Sequence, residues 1–194
     1  GHLLLDDRAG ARAAAQHVID LGHRRVGLLN LHPVQEDSPE STPVDAPWNP
    51  PASERDAGWR AALSAAGIAP VVIDDLSSGH DGFVPAGVPF VRGSILNREL
   101  VEETLREHEV EGVIHVAGYK YAGVSVTRPL HTYHQNVEGT RIVLEAMAAA
   151  GVTKIVFSSS AAVYGTPDVP LVVEDLPKRP ASPYGESKLI GEWL

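Results

Sequence analysis

Short apolar runs alternate with amphipathic segments along most of the chain. Apolar residues recur at helical spacing between the runs, as at Leu100, Val101 and Leu105 in the segment from Asn97 to Glu109. The runs have the length of strands and read HLLLD, RVGLLN, PVVIDDL, PFVRGSI, GVIHVAG and KIVF. Strands that alternate with helices predict an α/β fold, in which a doubly wound parallel sheet lies between two layers of helices.

The run from Ile155 to Phe157 is followed directly by three serines, which end at Ser160. An apolar run that leads into small polar residues is typical of a buried parallel strand whose carboxyl end opens into a crevice. Open α/β sheets bind their ligands in crevices of this kind. We therefore expect Ser158 and Ser160 at a binding site, where Ser160 can donate a hydrogen bond to a substrate oxygen.

Ser182 and Pro183 predict the start of a helix that carries Tyr184 and Lys188. Residues four apart lie on one face of a helix, so the phenol and the amine are expected close together. An ammonium group beside a phenol favours the phenolate, which can accept a proton. A tyrosine and a lysine at this spacing are more often a solvated helix edge, so the assignment depends on the surrounding motifs.

Composition limits the function classes. The chain has 194 residues, 43% of them hydrophobic, and a formal net charge of −9 without a lysine or arginine cluster, which argues against a nucleic-acid surface. It has no cysteine and therefore no disulfide or thiolate metal site, and we predict no metal. We expect a soluble, cytoplasmic protein, because the sequence contains neither a signal segment nor an apolar run of about 18 residues.

Residues 71–194 contain the motifs IHVAG, NVEGT, SSSAAVYG and SPYGESK. Through these motifs they resemble the extended short-chain dehydrogenase/reductases, and most closely the UDP-glucose 4-epimerases. The resemblance implies a Rossmann-like fold, NAD as cofactor and a nucleotide sugar as substrate, and it leaves a homodimer open. It also implies Tyr184 as catalytic base, Lys188 as its activator and ribose ligand, and Ser160 as the third catalytic residue.

The resemblance also implies a set of cofactor contacts. An acid at the end of a strand accepts hydrogen bonds from the adenosine ribose, and an acid there favours NAD over NADP. His115, between apolar neighbours, is instead predicted to be a hydrogen-bonded core residue. The predicted cofactor-binding residues are Asp74, Asp75, Ser78, Gly79, Ser94, Ile95, Ala117, Gly118, Lys120, Asn136, Ser158, Tyr184 and Lys188.

The glycine-rich turn that holds the pyrophosphate in this family, G-x-x-G-x-x-G, occurs nowhere in the chain. Residues 3–69 instead contain DDRAGARAAAQHVIDLGHRRVGLL and SERDAGWRAALSAAGI, and through these segments they resemble the effector-binding domain of lac-repressor-type regulators. In that family an Asp and an Arg hold a sugar-like effector, and these correspond to Asp7 and Arg55; a turn residue and a solvated helix residue are the simpler interpretation. Residues 31–52 are rich in Pro, Ser, Asp and Glu and are predicted to form a long loop or lid.

Two partial resemblances that meet near Pro70 suggest a chimera. We expect a βαβα segment over residues 1–70 and a partial NAD-binding domain over residues 71–194, joined in one sheet of five to seven strands. The leading function is an incomplete NAD-dependent epimerase module. The alternatives are a dehydratase or reductase of the same superfamily, a non-catalytic α/β scaffold, and a fragment of a sugar-binding regulator.

Overall fold

The chain is seen in a computed structural model that describes residues 12, 13, 16, 19, 20, 26–29, 65–77, 84 and 87–194, with residues 26–29 described by their backbone alone. Five parallel strands run through these residues. They are β1 (Val26–Leu29), β2 (Val71–Asp74), β3 (Phe90–Arg92), β4 (Gly112–His115) and β5 (Ile155–Phe157).

The strands form one sheet in the order β3-β2-β1-β4-β5. β1 lies at the centre, where Leu28 pairs with Val72 of β2 on one side and with Ile114 of β4 on the other. The strand order therefore reverses at β1, and such a reversal opens a crevice at the carboxyl ends of the neighbouring strands. This order confirms the doubly wound fold, and a strand from the first part of the chain occupies the central place.

Helices follow most of the strands. They are α1 (Arg98–Glu107), α2 (Ala122–Thr127), α3 (Pro129–Tyr133), α4 (Gly139–Ala150) and α5 (Pro183–Trp193). A π-helical turn, His134–Glu138, joins α3 to α4, so the chain is helical without a break from Pro129 to Ala150 but locally widened. A 3₁₀ turn, Ala161–Tyr164, follows β5.

The side chains of the strands alternate between two hydrophobic layers. Val71, Ile73 and Val113 belong to the layer that includes α1 and α4 residues, whereas Val72 and Ile114 lie in a second cluster on the other face. Residues 12, 13, 16, 19 and 20 are helical, and Ile19 packs against this second cluster. Because parallel sheets need both faces covered, this alternation agrees with the predicted three layers.

β5 differs from its prediction as a buried strand. It is parallel, but in the part of the chain described here it pairs with β4 alone, and Ile155 keeps 37% of its surface exposed. The apolar run correctly predicted a strand. Whether the side chains of that strand are buried depends on which elements cover the edge of the sheet. The strand predicted at His2–Asp6 and the loop at 31–52 lie outside the described residues. None of the helices described here is long and apolar enough to cross a membrane.

Candidate active site at the carboxyl edge of the sheet

Helix α5 begins as the sequence predicts. The hydroxyl of Ser182 caps it by accepting a hydrogen bond from the amide of Gly185, 3.2 Å away, and Pro183 fills the first helical position. A Cβ on Gly185 would lie 2.6 Å from the carbonyl oxygen of Ala162, so only glycine permits this approach. The helix is therefore held against the 3₁₀ turn that starts after Ser160.

Lys188 points inward, and only 5% of its surface is exposed. Its Nζ donates a hydrogen bond to the carbonyl oxygen of Ser158 at 2.9 Å and lies 5.0 Å from the centre of the Phe157 ring, within the range of a cation–π contact. Burial lowers the pKa of Lys188 to about 8. The amine is thus still mainly charged at neutral pH, beneath the crevice where the resemblance places the cofactor ribose.

The side chains of Tyr184 and Ser160 each have hydrogen-bonding capacity that the described part of the protein does not use. Within the described residues, the backbone of Tyr184 is hydrogen-bonded, but its phenol oxygen is not. The Ser160 hydroxyl accepts a hydrogen bond from the amide of Ala162 at 3.2 Å and retains its own hydrogen to donate. The Tyr184 phenol and the Ser160 hydroxyl hydrogen are therefore both available for contacts with a substrate.

Asn136 lies in the π-helical turn, and its amide is paired with the protein. Its Oδ1 accepts from the Tyr119 amide at 2.6 Å, while its Nδ2 donates to the Tyr119 carbonyl at 2.9 Å and to the Ser187 hydroxyl at 2.8 Å. These bonds fasten the loop after β4 to helix α5. The predicted cofactor contact of Asn136 stays a prediction, and the role that the geometry assigns to this side chain is to hold two neighbours in place.

Gly118 lies between Asn136 and Lys188 and has a φ of +143°, which residues with a side chain rarely adopt. A Cβ there would be 2.8 Å from Oδ1 of Asn136 and 3.7 Å from Nζ of Lys188. The position next to it, Ala117, is buried at 3% exposure. Glycine at this position therefore allows the Asn136 amide and the Lys188 amine to pack close to the backbone that follows β4.

His115 is the core residue that the sequence predicts. It is fully buried, and its Nε2 lies 3.0 Å from Oγ1 of Thr140. Since the Thr140 hydroxyl donates its hydrogen to the carbonyl oxygen of Asn136 at 2.6 Å, Nε2 must carry the imidazole proton. Burial, aided by the charge of Lys188, lowers the pKa of His115 to about 3, so the ring is neutral.

The predicted adenosine side follows β2 and β3. Asp74 is buried, and its Oδ1 accepts from the amide of Leu76 at 2.7 Å; Asp75 accepts from the amide of Ser77 at 2.8 Å. Ser94, after β3, accepts from the amide of Leu96 at 3.2 Å. Because these strands are parallel, the acids and the serine lie at the same edge of the sheet as the Tyr184 region.

The remaining predicted residues divide into three groups. Ile95 belongs to the hydrophobic core, with 5% of its surface exposed, which is unlike an open contact surface. Lys120 is exposed between Tyr119 and Tyr121, whose rings lie 5.2 Å apart. Ser78 and Gly79 lie outside the described residues.

The sequence interpretation missed two buried serines. The Ser125 hydroxyl accepts from the amide of Tyr184 at 3.1 Å, and the Ser187 hydroxyl donates to the carbonyl oxygen of Tyr184 at 2.7 Å. A signal was present for Ser187, because a small polar residue beside Lys188 faces into the protein at helical spacing from Tyr184. In the described residues no cluster of three or more His, Cys, Asp or Glu side chains could hold a metal ion.

Comparison with known proteins places this chain in a family. The sequence model of the NAD dependent epimerase/dehydratase family matches residues 59–194. The UDP-glucose 4-epimerase of Azospirillum brasilense is 46% identical over 133 residues, which are 69% of this chain and 38% of that protein. The UDP-glucose 4-epimerase of Bacillus subtilis is 43% identical over 131 residues, covering 64% of this chain and 39% of the relative.

Solved structures give the same result. The UDP-glucose 4-epimerase of Brucella ovis in complex with NAD has a TM-score of 0.71 at 32% identity, over 88% of this chain and 46% of the other. The Thermus thermophilus UDP-glucose 4-epimerase complex with NAD has a TM-score of 0.71 at 31% identity, over 87% of this chain and 49% of the other. The chain thus spans less than half the length of these relatives.

These comparisons give no support to the repressor-like interpretation of residues 3–69 or to a chimera, and both remain hypotheses. The structural likeness covers 88% of the chain and therefore extends ahead of residue 59, into the part that was assigned to the regulators. Fold, strand order, motif positions and sequence identity agree, and the chain belongs to the NAD dependent epimerase/dehydratase family.

Proposed function

We propose that this chain is the cofactor-binding and proton-transfer part of an NAD-dependent UDP-glucose 4-epimerase. The observation that carries the proposal is the position of Tyr184, whose unpaired phenol stands one helical turn from the buried Lys188 at the carboxyl edge of the sheet. Relatives that are more than 40% identical carry the name UDP-glucose 4-epimerase, and related structures contain NAD.

The residues at this edge fit a dinucleotide. The reversal of strand order at β1 provides the crevice, and the absence of a side chain at Gly118 leaves the backbone there open to close approach by neighbouring groups. We assign the adenosine ribose to Asp74 and the nicotinamide end to Gly118, Tyr184 and Lys188. When bound, NAD supplies the hydride acceptor and donor for the sugar carbon.

The pyrophosphate of the dinucleotide has no glycine-rich turn to hold it in this chain. The segment after β1, residues 30–57, contains no glycine, so the backbone approach used by the family's glycine-rich turn is unavailable in its sequence. The helical residues 12, 13, 16, 19 and 20 precede the central strand, and they therefore do not take the place of the helix that follows it in dinucleotide-binding folds.

The chain's own residues would move the proton. The Tyr184 phenolate accepts the proton of the sugar 4-hydroxyl, and the Ser160 hydroxyl donates a hydrogen bond to that oxygen. Lys188 holds its buried ammonium group against the carbonyl oxygen of Ser158, one helical turn from Tyr184. Tyr184 returns the proton to the same sugar oxygen once carbon 4 of the sugar has been reduced to the opposite configuration.

The partners follow from the same chemistry. A nucleotide sugar is the proposed substrate, as in the related structures that contain UDP-glucose or UDP. The net charge of −9 supports a protein that does not bind nucleic acid, and a homodimer remains open.

Conversion of UDP-galactose to UDP-glucose by the chain with added NAD tests this function. Tyr184→Phe should lower turnover by at least about 100-fold, because it removes the proton acceptor. Tyr164→Phe is the matched control, since the Tyr164 hydroxyl contacts only the carbonyl of Glu174, at 3.4 Å, and turnover should persist. An inactive parent chain, or an active Tyr184→Phe variant, would refute the proposal.

A further inference from the structure

Two buried serine hydroxyls hold the backbone of Tyr184 from both sides. Ser125 has none of its surface exposed and Ser187 has 1% exposed. The Tyr184 amide donates to Oγ of Ser125 at 3.1 Å, and Oγ of Ser187 donates to the Tyr184 carbonyl at 2.7 Å. The amide and the carbonyl of Tyr184 thus both have hydrogen-bond partners other than the backbone groups of the helix.

The bond to Ser125 replaces a missing partner. The first amides of a helix have no partner within the helix. In α5, Pro183 has no amide, Gly185 is bonded to the Ser182 hydroxyl and Glu186 to the Ser182 carbonyl. The Tyr184 amide is left, and Ser125 of α2 satisfies it from a different helix.

Each serine is itself fixed. The Ser125 hydroxyl donates to the carbonyl of Ala122 at 2.6 Å, which leaves its oxygen directed at α5. The Ser187 hydroxyl accepts from Nδ2 of Asn136 at 2.8 Å, and Asn136 in turn holds the Tyr119 backbone. The position of Tyr184 is therefore tied both to α2 and to the loop after β4 that contains Gly118.

We propose that Ser125 and Ser187 are positioning residues for Tyr184, which set where its phenol stands relative to Lys188 and Ser160. This proposal deepens the proposed function of Tyr184 and rests on it. A shift of about 1 Å in a reacting group is enough to cost about 100-fold in rate. Loss of the Ser125 hydroxyl would leave the Tyr184 amide without its tertiary partner, and loss of the Ser187 hydroxyl would break the link from the Tyr184 carbonyl to Asn136.

Ser125→Ala is the direct test, and Thr127→Ala is its matched control. Thr127 lies in the same helix, is exposed, and uses its hydroxyl only on the carbonyl of Val124, at 3.0 Å. The readouts are hydrogen exchange of the Tyr184 amide and the NMR signal of its ζ-carbon in tyrosine-labelled protein, assigned with Tyr184→Phe. Neither readout needs cofactor or substrate.

Ser125→Ala should speed exchange of the Tyr184 amide about fivefold or more and move the ζ-carbon signal, because one hydrogen bond is lost. Thr127→Ala should leave both unchanged, and Ser125→Thr, which restores a hydroxyl, should return both toward the parent values. Ser125→Cys keeps the size but accepts only weakly, and it serves if the alanine variant does not fold. Unchanged Tyr184 signals in the alanine or cysteine variant, or an equal change in Thr127→Ala, would overturn the proposal.

Turnover separates this proposal from the function on which it rests. If the parent chain converts UDP-galactose, Ser125→Ala should lower kcat about tenfold or more with little change in KM, as expected when a group acts only in the transition state. An unchanged kcat would overturn the positioning role. An inactive parent chain would refute the proposed function, while the exchange and ζ-carbon readouts would still decide whether Ser125 holds Tyr184.

Discussion

The ammonium group of Lys188 is bonded to the carbonyl oxygen of Ser158, so the helix that carries Tyr184 is tied to the end of β5 through a charged hydrogen bond of 2.9 Å. The charge is buried and, among the described residues, has no carboxylate partner in an ion pair. An unpaired buried charge destabilises the fold, and its retention at this place agrees with a role in the proposed proton transfer.

The first prediction concerns pH and stability. Burial lowers the Lys188 pKa from 10.5 to about 8, so between these values the unfolded chain binds more protons than the folded one. The contribution of Lys188 to stability therefore rises with pH across this window, by roughly 1.4 kcal/mol per pH unit. Urea unfolding should show that Lys188→Met is more stable than the parent at pH 7 and that the difference shrinks toward pH 10.

Lys154→Met is the control for this prediction, because it removes an exposed amine and reports the effect of net charge alone. A stability difference between the parent and Lys188→Met that stays constant from pH 7 to pH 10 would contradict a lowered pKa for Lys188.

The second prediction concerns the three hydrogen bonds that the Asn136 side chain forms with the Tyr119 backbone and the Ser187 hydroxyl. Asn136→Ala should lower the free energy of unfolding by about 3 kcal/mol, because it leaves the Tyr119 backbone and the Ser187 hydroxyl without their partner. Asn97→Ala, which removes only the cap that accepts from the Leu100 amide at 3.1 Å, should cost about 1 kcal/mol. If urea unfolding showed an equal loss of unfolding free energy for the two variants, the Asn136 hydrogen bonds would stabilise the fold no more than a helix cap does.

The third prediction concerns cofactor choice. A carboxylate at Asp74 should repel the additional phosphate of NADP, so the parent chain is expected to bind NAD more tightly than NADP. Asp74→Ser should reduce this preference about tenfold or more, which titrations with both dinucleotides would measure. Asp168→Ser removes an exposed acid in the loop before α5 and controls for net charge. If Asp74→Ser left the preference for NAD over NADP unchanged, the adenosine end of the cofactor would not lie at Asp74.

Local signals made part of this structure predictable. Ser182 and Pro183 mark the start of α5, and Asn97 marks the start of α1, because caps are determined by neighbours in sequence. His115 was predicted as a core residue from its apolar neighbours, and it is one. These features need no knowledge of distant parts of the chain.

Features that depend on distant contacts could not be predicted. The exposure of Ile155 depends on which strand is last in the sheet, and the central place of Val26–Leu29 depends on pairing with β2 and β4. The contact of Ser125 with Tyr184 joins residues 59 apart in sequence, so spacing gave no indication of it. Helical spacing predicted that Lys188 and the Tyr184 phenol share one face of the helix. It gave no indication that the Lys188 amine donates its hydrogen bond to the carbonyl oxygen of Ser158.

Binding of NAD by this chain tests the central claim most directly. Calorimetric titration should detect binding to the parent chain and to Tyr184→Phe, and NAD at about 100 times its Kd should stabilise either protein by about 2.7 kcal/mol, raising Tm by a few degrees. Absence of both heat and a Tm shift at millimolar NAD would contradict the claim that the carboxyl edge of this sheet holds a dinucleotide.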